Sequence, residues 1–210
     1  AEHFSQALSS AGLTVVSGLA LGIDAAAHRG ALTGRGSTVA VIGTGADRIY
    51  PSRNEDLARQ LAEQGLIVSE FPLGTPAVAA NFPRRNRLIA GLARGCLVVE
   101  AAERSGSLIT ARLAAETGLE VFAIPGSIHS PLSKGCHQLI KQGAKLVERA
   151  EDILEELRWE AAVASPSFTA TVPVAPDAGR LLDAMGYDPC NLDTLANLTG
   201  LTADRLLAML

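Results

Sequence analysis

The chain has 210 residues and a net charge of −4, and 48% of its residues are hydrophobic but only 4% are aromatic. A typical domain takes about 150 residues, so this length suits one domain with an appendage, and the acidic balance excludes a surface coated in positive charge without excluding a local basic site. No apolar run is long enough to span a bilayer and no basic-then-apolar leader is visible, so we expect a cytoplasmic protein without a membrane segment.

Short apolar runs rich in Val, Ile and Leu end repeatedly in Gly, Ser or Pro and are followed by helical patterns. This alternation is typical of buried parallel strands connected by helices, so we predict an α/β fold with a parallel sheet covered by helices on both faces. In that architecture the ligand crevice lies beyond the carboxyl ends of the strands. The predicted strands are 13–17, 37–43, 66–70, 96–100 and 120–125, and the predicted helices lie near 23–32, 55–64, 82–94, 107–117, 133–142 and 150–158.

The composition changes after this alternation, where Ala, Ser, Thr, Val and Pro predominate without a strand or helix period. Such a stretch predicts a linker. Three short amphipathic patterns follow, with Asn191 or Asp193 as a candidate cap of the second helix and Thr202 of the third. They look like the start of a winged-helix or helix-turn-helix module that stops before any wing. The predicted parts are an α/β domain (1–158), a linker (159–177) and a partial helical module (178–210).

Three arginines stand at the start of one predicted helix, in the segment NFPRRNRLIAG. Helical spacing places Arg84 and Arg87 on the polar side, whereas Arg85 projects to the apolar side and needs a partner there. A carboxylate such as Glu70 or Glu100 is one candidate partner. The other is an anionic ligand, because a helix start attracts anions and arginine forks match phosphate oxygens. Three arginines in four residues favour a phosphate or a phosphodiester backbone.

Phe82 precedes these arginines and allows two interpretations. It can pack the helix start onto the sheet, or it can serve as a platform on which a base stacks.

Other loops at predicted strand ends contain small residues that allow a close approach of an anion. Ser17 ends the first predicted strand and Gly18 follows it, and Gly43 closes the second. The G-x-G that begins at Gly43 lacks a third glycine in phase, so it is a weak signal for a nicotinamide site. The segment RSGSLITA is either a phosphate cradle or a serine-capped helix start. Its candidate ligand residues are Ser105, Gly106, Ser107 and Thr110.

Catalytic and metal-binding patterns are poor. Asp24 and His28 lie four residues apart on a predicted helix, which an acidic residue in the first turn and an ordinary histidine explain. His129 and His137 have no partner at metal-ligand spacing, and no serine lies in a G-x-S-x-G elbow. We therefore predict no catalytic residues, no metal and no cofactor. The cysteines are odd in number and lack CxxC spacing, which fits packing roles in a reducing compartment; they are Cys96, Cys136 and Cys190.

Long strings of this sequence closely resemble the DNA-processing protein A family, DprA, also called Smf. They include SGLALGIDAAAHRGAL, AVIGTGADRIYPSRNEDLA and the stretch from SEFPLGTP to HQLIKQGA, and together they cover nearly all of residues 10–157. The resemblance implies an extended Rossmann-like domain that binds single-stranded DNA as a homodimer. It also implies a recombination mediator that helps to load the RecA recombinase on incoming DNA in natural transformation. Arg85, Asn86 and Arg87 match the F-P-x-R-N-R pattern of the family, and Arg84 falls at its variable position.

The sequence departs from the family pattern at several points. The family domain begins with an earlier strand and a Gly-Ser/Thr-Arg loop that supplies another DNA-contacting arginine, so we expect the sheet here to lack its first strand. Family members often have an arginine where Leu21 stands and an asparagine where His137 stands.

Two other functions compete with the one that the resemblance implies. The first is a Rossmann-like nucleotide-processing enzyme of the phosphoribohydrolase type, but IPGSIHSP has the P-G of that signature without its glycine run or its glutamate. The second is duplex DNA binding by the C-terminal helices, which lack a basic recognition face because Arg205 is the only Lys or Arg after Arg180. Those helices fit protein contacts better.

Overall fold

The computed structural model describes residues 1–159, 181, 184–185 and 190–208. The chain divides into two compact units, Ala1–Val163 and Ala164–Leu210. The linker predicted for 159–177 lies outside the described residues, apart from Trp159. Among the described residues, no helix combines the length and the apolar character that a membrane crossing needs.

The first unit alternates strands with helices, as the sequence predicted. Helix Glu2–Ser10 and a short sixth strand were not among the predicted elements, the helix that begins at Asn81 ends at Gly91 rather than near 94, and the five predicted strands are all shorter than expected. Short 3-10 helices, Ser52–Asn54 and Pro131–Ser133, precede the helices that begin at Glu55 and Lys134. The helices are α1 (Glu2–Ser10), α2 (Ile23–Leu32), α3 (Glu55–Gln64), α4 (Asn81–Gly91), α5 (Ser107–Glu116), α6 (Lys134–Lys141) and α7 (Ala150–Glu156), and the strands are β1 (Val15–Ser17), β2 (Thr38–Val41), β3 (Leu66–Val68), β4 (Gly95–Val98), β5 (Glu120–Ala123) and β6 (Lys145–Leu146).

All six strands pair in parallel, which confirms the predicted sheet type. Hydrogen bonding divides them into two three-stranded sheets with the orders β1-β2-β3 and β4-β5-β6. Among the described residues no strand pairs with the outer edge of β1 or of β4, and both strands line one cavity. The expectation that the sheet lacks a first strand stays a prediction. The unpaired edges of β1 and β4 are where such a strand would pair.

Small residues dominate the packing of helices onto the second sheet, because short side chains let a helix lie close to a strand, whereas alanine shares the packing of the first sheet with leucine and isoleucine. The low aromatic content agrees with this close packing. Phe122, on β5, is the largest fully buried side chain. The first sheet packs through Leu19, Ala25, Ala40, Ile42, Leu57, Ala58 and Leu61, and the second through Ala90, Val98, Ala101, Ala111, Ala114, Val121, Ala123 and Cys136.

The described part of the second unit contains α8 (Leu192–Thr199) and α9 (Ala203–Leu207). Asn191 caps α8, since its Oδ1 accepts a hydrogen bond from the backbone N–H of Thr194 at 2.8 Å. Thr202 precedes α9 as predicted, but its side chain makes no capping hydrogen bond. A small apolar cluster holds these elements together; its buried members are Leu181, Leu195 and Leu206.

Candidate functional site

Helix α4 begins beside the loop that follows β2. Asn81 is buried, and its Nδ2 donates a hydrogen bond to the carbonyl oxygen of Gly43 at 3.1 Å. Pro83 stands in the first turn, where its missing N–H leaves no helical hydrogen bond unmade. The start of α4 is therefore fixed at the carboxyl end of β2, which is the edge where the alternation predicted a ligand crevice.

Arg85 is buried, with only 6% of its surface exposed. Its Nη1 donates hydrogen bonds to the carbonyl oxygens of Gly18 and Val41, each at 2.5 Å. One guanidinium group thereby ties α4 to the carboxyl ends of β1 and β2. The predicted direction of Arg85 toward the apolar side is confirmed, whereas neither Glu70 nor Glu100 is its hydrogen-bond partner. A contact between Arg85 and a ligand stays a prediction.

The charge of Arg85 is only indirectly compensated. Burial lowers the pKa of Arg85, and the nearby carboxylate of Asp24 raises it. Oδ2 of Asp24 accepts hydrogen bonds from the backbone N–H groups of Gly18 and Ala20, each at 3.1 Å. Because an arginine stays protonated in proteins, the site contains a buried cation whose direct partners are neutral carbonyl groups. Such a cation gives the site a positive potential that suits an anion.

Two glycines make room for side chains of α4. A Cβ at Gly18 would overlap the guanidinium group of Arg85, and a Cβ at Gly43 would lie 2.9 Å from Cδ1 of Phe82. Both glycines were predicted as ligand-binding residues. The structure gives them a packing role, while ligand contact by either one stays a prediction.

Phe82 belongs to an aromatic pair that the sequence did not indicate. Its ring centroid lies 5.5 Å from that of Tyr50, and the two ring planes meet at 35°. The guanidinium carbon of Arg85 lies 5.7 Å from the Phe82 centroid. Phe82 is half-buried, whereas Tyr50 is 49% exposed. These contacts agree with the packing interpretation of Phe82, and base stacking on it stays a prediction.

Arg87 and Arg84 are exposed and have different partners. Arg87 forms an ion pair through its Nη2 with Oε2 of Glu70, so the predicted carboxylate partner belongs to Arg87 rather than to Arg85. The guanidinium carbon of Arg84 lies 5.7 Å from the ring centroid of Phe71. An anion that binds Arg87 must therefore compete with Glu70. Neither Glu70 nor Phe71 was predicted as a site residue.

The loop before α5 presents two hydroxyl groups at a helix start. Ser105 Oγ lies 3.1 Å from Ser107 Oγ and accepts a weaker hydrogen bond from the backbone N–H of Ser107 at 3.3 Å. The N-cap residue of α5 is Gly106, and no side chain makes a capping hydrogen bond there. The first backbone N–H groups of α5 have partners within the loop, since Ser105 accepts from Ser107 through Oγ and from Leu108 through its carbonyl oxygen, and the carbonyl oxygen of Gly106 accepts from Ile109. The two hydroxyl groups are what this loop offers to an anion, and anion binding here stays a prediction.

One cavity of about 690 Å³ joins most of the predicted residues. It lies along β1 and β4 and extends past their carboxyl ends. Gly43 and Arg87 do not line it. The predicted residues that do are Ser17, Gly18, Phe82, Arg85, Asn86, Ser105, Gly106, Ser107 and Thr110.

His28 is fully buried and does not resemble a general base. Its Nδ1 lies 2.7 Å from Oγ1 of Thr38, whose hydroxyl donates to the carbonyl oxygen of Val15. Nδ1 therefore carries the proton, and the unprotonated Nε2 has no hydrogen-bond partner among the described residues. Burial lowers the pKa of His28 to about 4; the Asp24 carboxylate opposes this change and the Arg85 cation adds to it. His28 is a neutral core residue.

Burial keeps two of the cysteine thiols protonated. Burial raises the pKa of the Cys96 thiol to about 11 and also raises that of Cys136. No group of three or more His, Cys, Asp or Glu side chains is placed to hold a metal ion within the described residues. Two positions depart from the pattern of the family that the sequence resembles. Leu21 is exposed, and Nε2 of His137 lies 2.9 Å from the carbonyl oxygen of Gly126.

The sequence matches one family along the whole first unit. The profile of DNA recombination-mediator protein A matches residues 1–158. The chain belongs to this family. The profile of the DprA winged helix domain matches 164–210, so the predicted relation of the C-terminal segment to winged-helix domains is confirmed. That match begins inside the segment predicted as a linker.

Relatives of known name or structure cover the same region. Protein Smf from Escherichia coli (strain K12) is 57% identical over 157 residues, which are 74% of this chain and 42% of that protein. The X-ray structure of DNA processing protein A from Streptococcus pneumoniae is 51% identical, with a TM-score of 0.69 over 74% of this chain and 54% of its own. DNA processing protein A from Helicobacter pylori, whose structure concerns its single-stranded DNA binding mode, is 29% identical. Its TM-score is 0.69, over 75% of this chain and 71% of its own. The chain spans about half the length of the curated relatives it matches.

Proposed function

We propose that this chain is a non-catalytic recombination mediator that binds single-stranded DNA. The observation that carries the proposal is the grouping of Arg85 with the hydroxyl groups of Ser105 and Ser107 around one cavity at the carboxyl ends of β1 and β4, beside a helix start that also carries the exposed Arg84 and Arg87. Membership in a family of recombination mediators supports it. The Helicobacter pylori relative, which is described as binding single-stranded DNA, supports the choice of ligand.

The chemistry of the site fits a phosphodiester backbone. Arg84 and Arg87 are exposed at the start of α4, and Arg85 adds a buried positive charge behind them. Guanidinium groups match phosphate oxygens bidentately, and serine hydroxyl groups donate to the same oxygens. Such groups read the path of the backbone rather than the edges of the bases, so we expect little dependence on base sequence.

A single strand suits this site better than a duplex. A flexible strand bends its phosphates into a crevice at the strand ends, whereas bending a duplex costs on the order of 1–6 kcal/mol. The C-terminal helices offer no alternative for reading a duplex, since the sequence contains one Lys or Arg, Arg205, after Arg180. We therefore expect tighter binding to oligo-dT than to a duplex of the same length.

The proposal extends to the partners of the whole protein. We infer that the protein works in the cytoplasm as a homodimer and helps to load RecA on incoming DNA in natural transformation. The description of the family as recombination mediators supports this role, because a mediator acts on DNA that a recombinase has still to cover. Sedimentation of the protein with and without oligo-dT tests the dimer. The rate at which RecA assembles on oligo-dT with and without the protein tests the loading.

The experiment that tests DNA binding is a titration of labelled oligo-dT and of a matched duplex at two salt concentrations. We expect the affinity for oligo-dT to exceed that for the duplex and to fall with salt, because each neutralised phosphate of a single strand releases about 0.7 counterion. Mixed-sequence single strands should bind like oligo-dT. A nucleotide-release assay on the same samples tests the enzyme alternative. Tighter duplex binding, or turnover of a nucleotide, would overturn the proposal.

A further inference from the structure

Tyr50 is the exposed member of the aromatic pair beside α4. It lies in the loop between β2 and the 3-10 helix Ser52–Asn54, at the carboxyl end of the first sheet. Its ring centroid is 5.5 Å from that of Phe82, and 49% of its surface is exposed. A large aromatic side chain that is held in place by another ring and is half open to solvent presents a flat apolar surface to a ligand.

Phe82 itself is enclosed on several sides. Its Cδ1 packs over Gly43, the guanidinium carbon of Arg85 lies 5.7 Å from its centroid, and Tyr50 is its third neighbour. Phe82 is accordingly half-buried. Phe82 lines the cavity, but Tyr50 has the more exposed ring of the pair, and Phe82 is its support.

Two positive charges lie close to Tyr50 in the sequence, Arg48 in the same loop and Arg53 in the 3-10 helix that follows. Arg48 and Arg53 are exposed, and among the described residues neither forms an ion pair. The acidic residue of this loop, Asp47, is occupied, because its Oδ1 accepts a hydrogen bond from the backbone N–H of Gly74 at 2.8 Å. An exposed ring with an unpaired cation on either side of it along the chain matches a ligand that carries a planar apolar group between two phosphates. A nucleotide unit of a single strand has that chemistry.

We propose that Tyr50 stacks on a base of the bound single strand, while Phe82 holds its ring in position. This inference rests on the proposed single-strand binding and adds to it a residue that contacts bases. Every base has an open face in a single strand, so the contact strengthens binding without selecting a sequence.

The test compares Tyr50→Leu with Tyr50→Phe on two ligands, oligo-dT and an abasic oligonucleotide of the same length. Stacking on an aromatic ring contributes about 1–3 kcal/mol per base, which corresponds to about 5- to 150-fold in affinity. We expect Tyr50→Leu to lose affinity for oligo-dT within that range and to bind the abasic strand like the unsubstituted protein. Tyr50→Phe retains the ring and should bind both ligands normally. Ile49→Ala is the matched control, since Ile49 is the exposed neighbour and has no ring.

The outcomes separate this inference from the function on which it rests. If the unsubstituted protein binds neither ligand, the proposed function fails and the inference fails with it. If that protein binds oligo-dT and Tyr50→Leu binds it equally well, the inference alone is wrong. An equal loss on both ligands, or a loss in Tyr50→Phe as large as that in Tyr50→Leu, would also overturn it, because neither result depends on stacking. A 2-aminopurine in the oligonucleotide gives a second readout, and its fluorescence should be quenched less by Tyr50→Leu than by Tyr50→Phe.

Discussion

Gly18 provides the space that the guanidinium group of Arg85 occupies. A Cβ at position 18 would overlap that group, while the carbonyl oxygen of Gly18 accepts one of its hydrogen bonds. The same glycine donates its N–H to Asp24. One residue without a side chain thus allows a cation from α4 to reach the carboxyl ends of two strands.

Gly18→Ala should therefore displace Arg85 and destabilise the first unit. Crowding in a well-packed region costs about 1–3 kcal/mol, and we expect a loss of unfolding free energy in that range. Trp159, the only tryptophan, is a suitable fluorescent probe in a denaturant titration, because its Nε1 donates to the carbonyl oxygen of Ala11 within the same unit. Gly91→Ala is the control: nothing lies within 4 Å of a Cβ there, so its stability should not fall. Equal stability of Gly18→Ala and the unsubstituted protein would contradict this account.

Arg85→Ala and Arg87→Ala should differ in stability although both weaken single-strand binding. Removing Arg85 leaves the carbonyl groups of Gly18 and Val41 without this donor, which should cost about 2 kcal/mol or more. Arg87 forms an exposed ion pair, whose loss costs about 0–1 kcal/mol.

Binding of oligo-dT at two salt concentrations, together with melting temperatures, checks this difference. We expect both variants to bind more weakly than Arg84→Ala, with a smaller salt dependence after loss of a phosphate contact. Equal binding by all three variants would indicate diffuse surface charge instead. Arg85→Lys retains a charge but not the fork, so it should remain less stable than the unsubstituted protein.

Glu70→Gln should increase the affinity for single strands. The carboxylate of Glu70 pairs with Arg87, so a phosphate that binds Arg87 has to displace it. An exposed pair is worth about 0–1 kcal/mol, which limits the gain to about fivefold, and the gain should shrink at high salt. Glu55→Gln is the control, because it removes the same charge from an exposed ion pair with Arg59 on α3, which involves no arginine of α4. A gain of the same size in both variants would mean that overall charge, and not release of Arg87, is responsible.

The local parts of this fold were predictable from the sequence. The bounds of α2 and α3 agree with the predicted helices 23–32 and 55–64, because apolar spacing and flanking glycines define a helix over a short window. The same periodicity gave the buried direction of Arg85.

The long-range parts of the site were not predictable in the same way. The carbonyl partners of Arg85 are 44 and 67 residues away along the chain, and local spacing carries no information about them. The pairing of Tyr50 with Phe82 and of Glu70 with Arg87 depends equally on how strand ends meet α4. The only signal for Tyr50 was its position in a loop after a predicted strand, which many residues share.

The stability of the first unit should fall as the pH drops from about 6.5 to about 4, because His28 is buried as a neutral side chain. Its pKa is lowered from 6.5 to about 4, so in this range the unfolded chain binds a proton that the folded chain does not. The contribution of neutral His28 to the free energy of unfolding is fully present above its pKa in the unfolded chain. It is lost as the pH falls toward its pKa in the folded chain. A difference of about 2.5 pH units corresponds to about 3 kcal/mol, since one unit is about 1.4 kcal/mol.

Denaturant titrations between pH 4 and pH 8, followed by the fluorescence of Trp159, measure this loss of unfolding free energy. His28→Asn retains a donor for Thr38 Oγ1 without a titrating ring, so it should be less stable at neutral pH but lose less stability on acidification. Identical pH profiles of the two proteins would show that other groups cause the acid sensitivity.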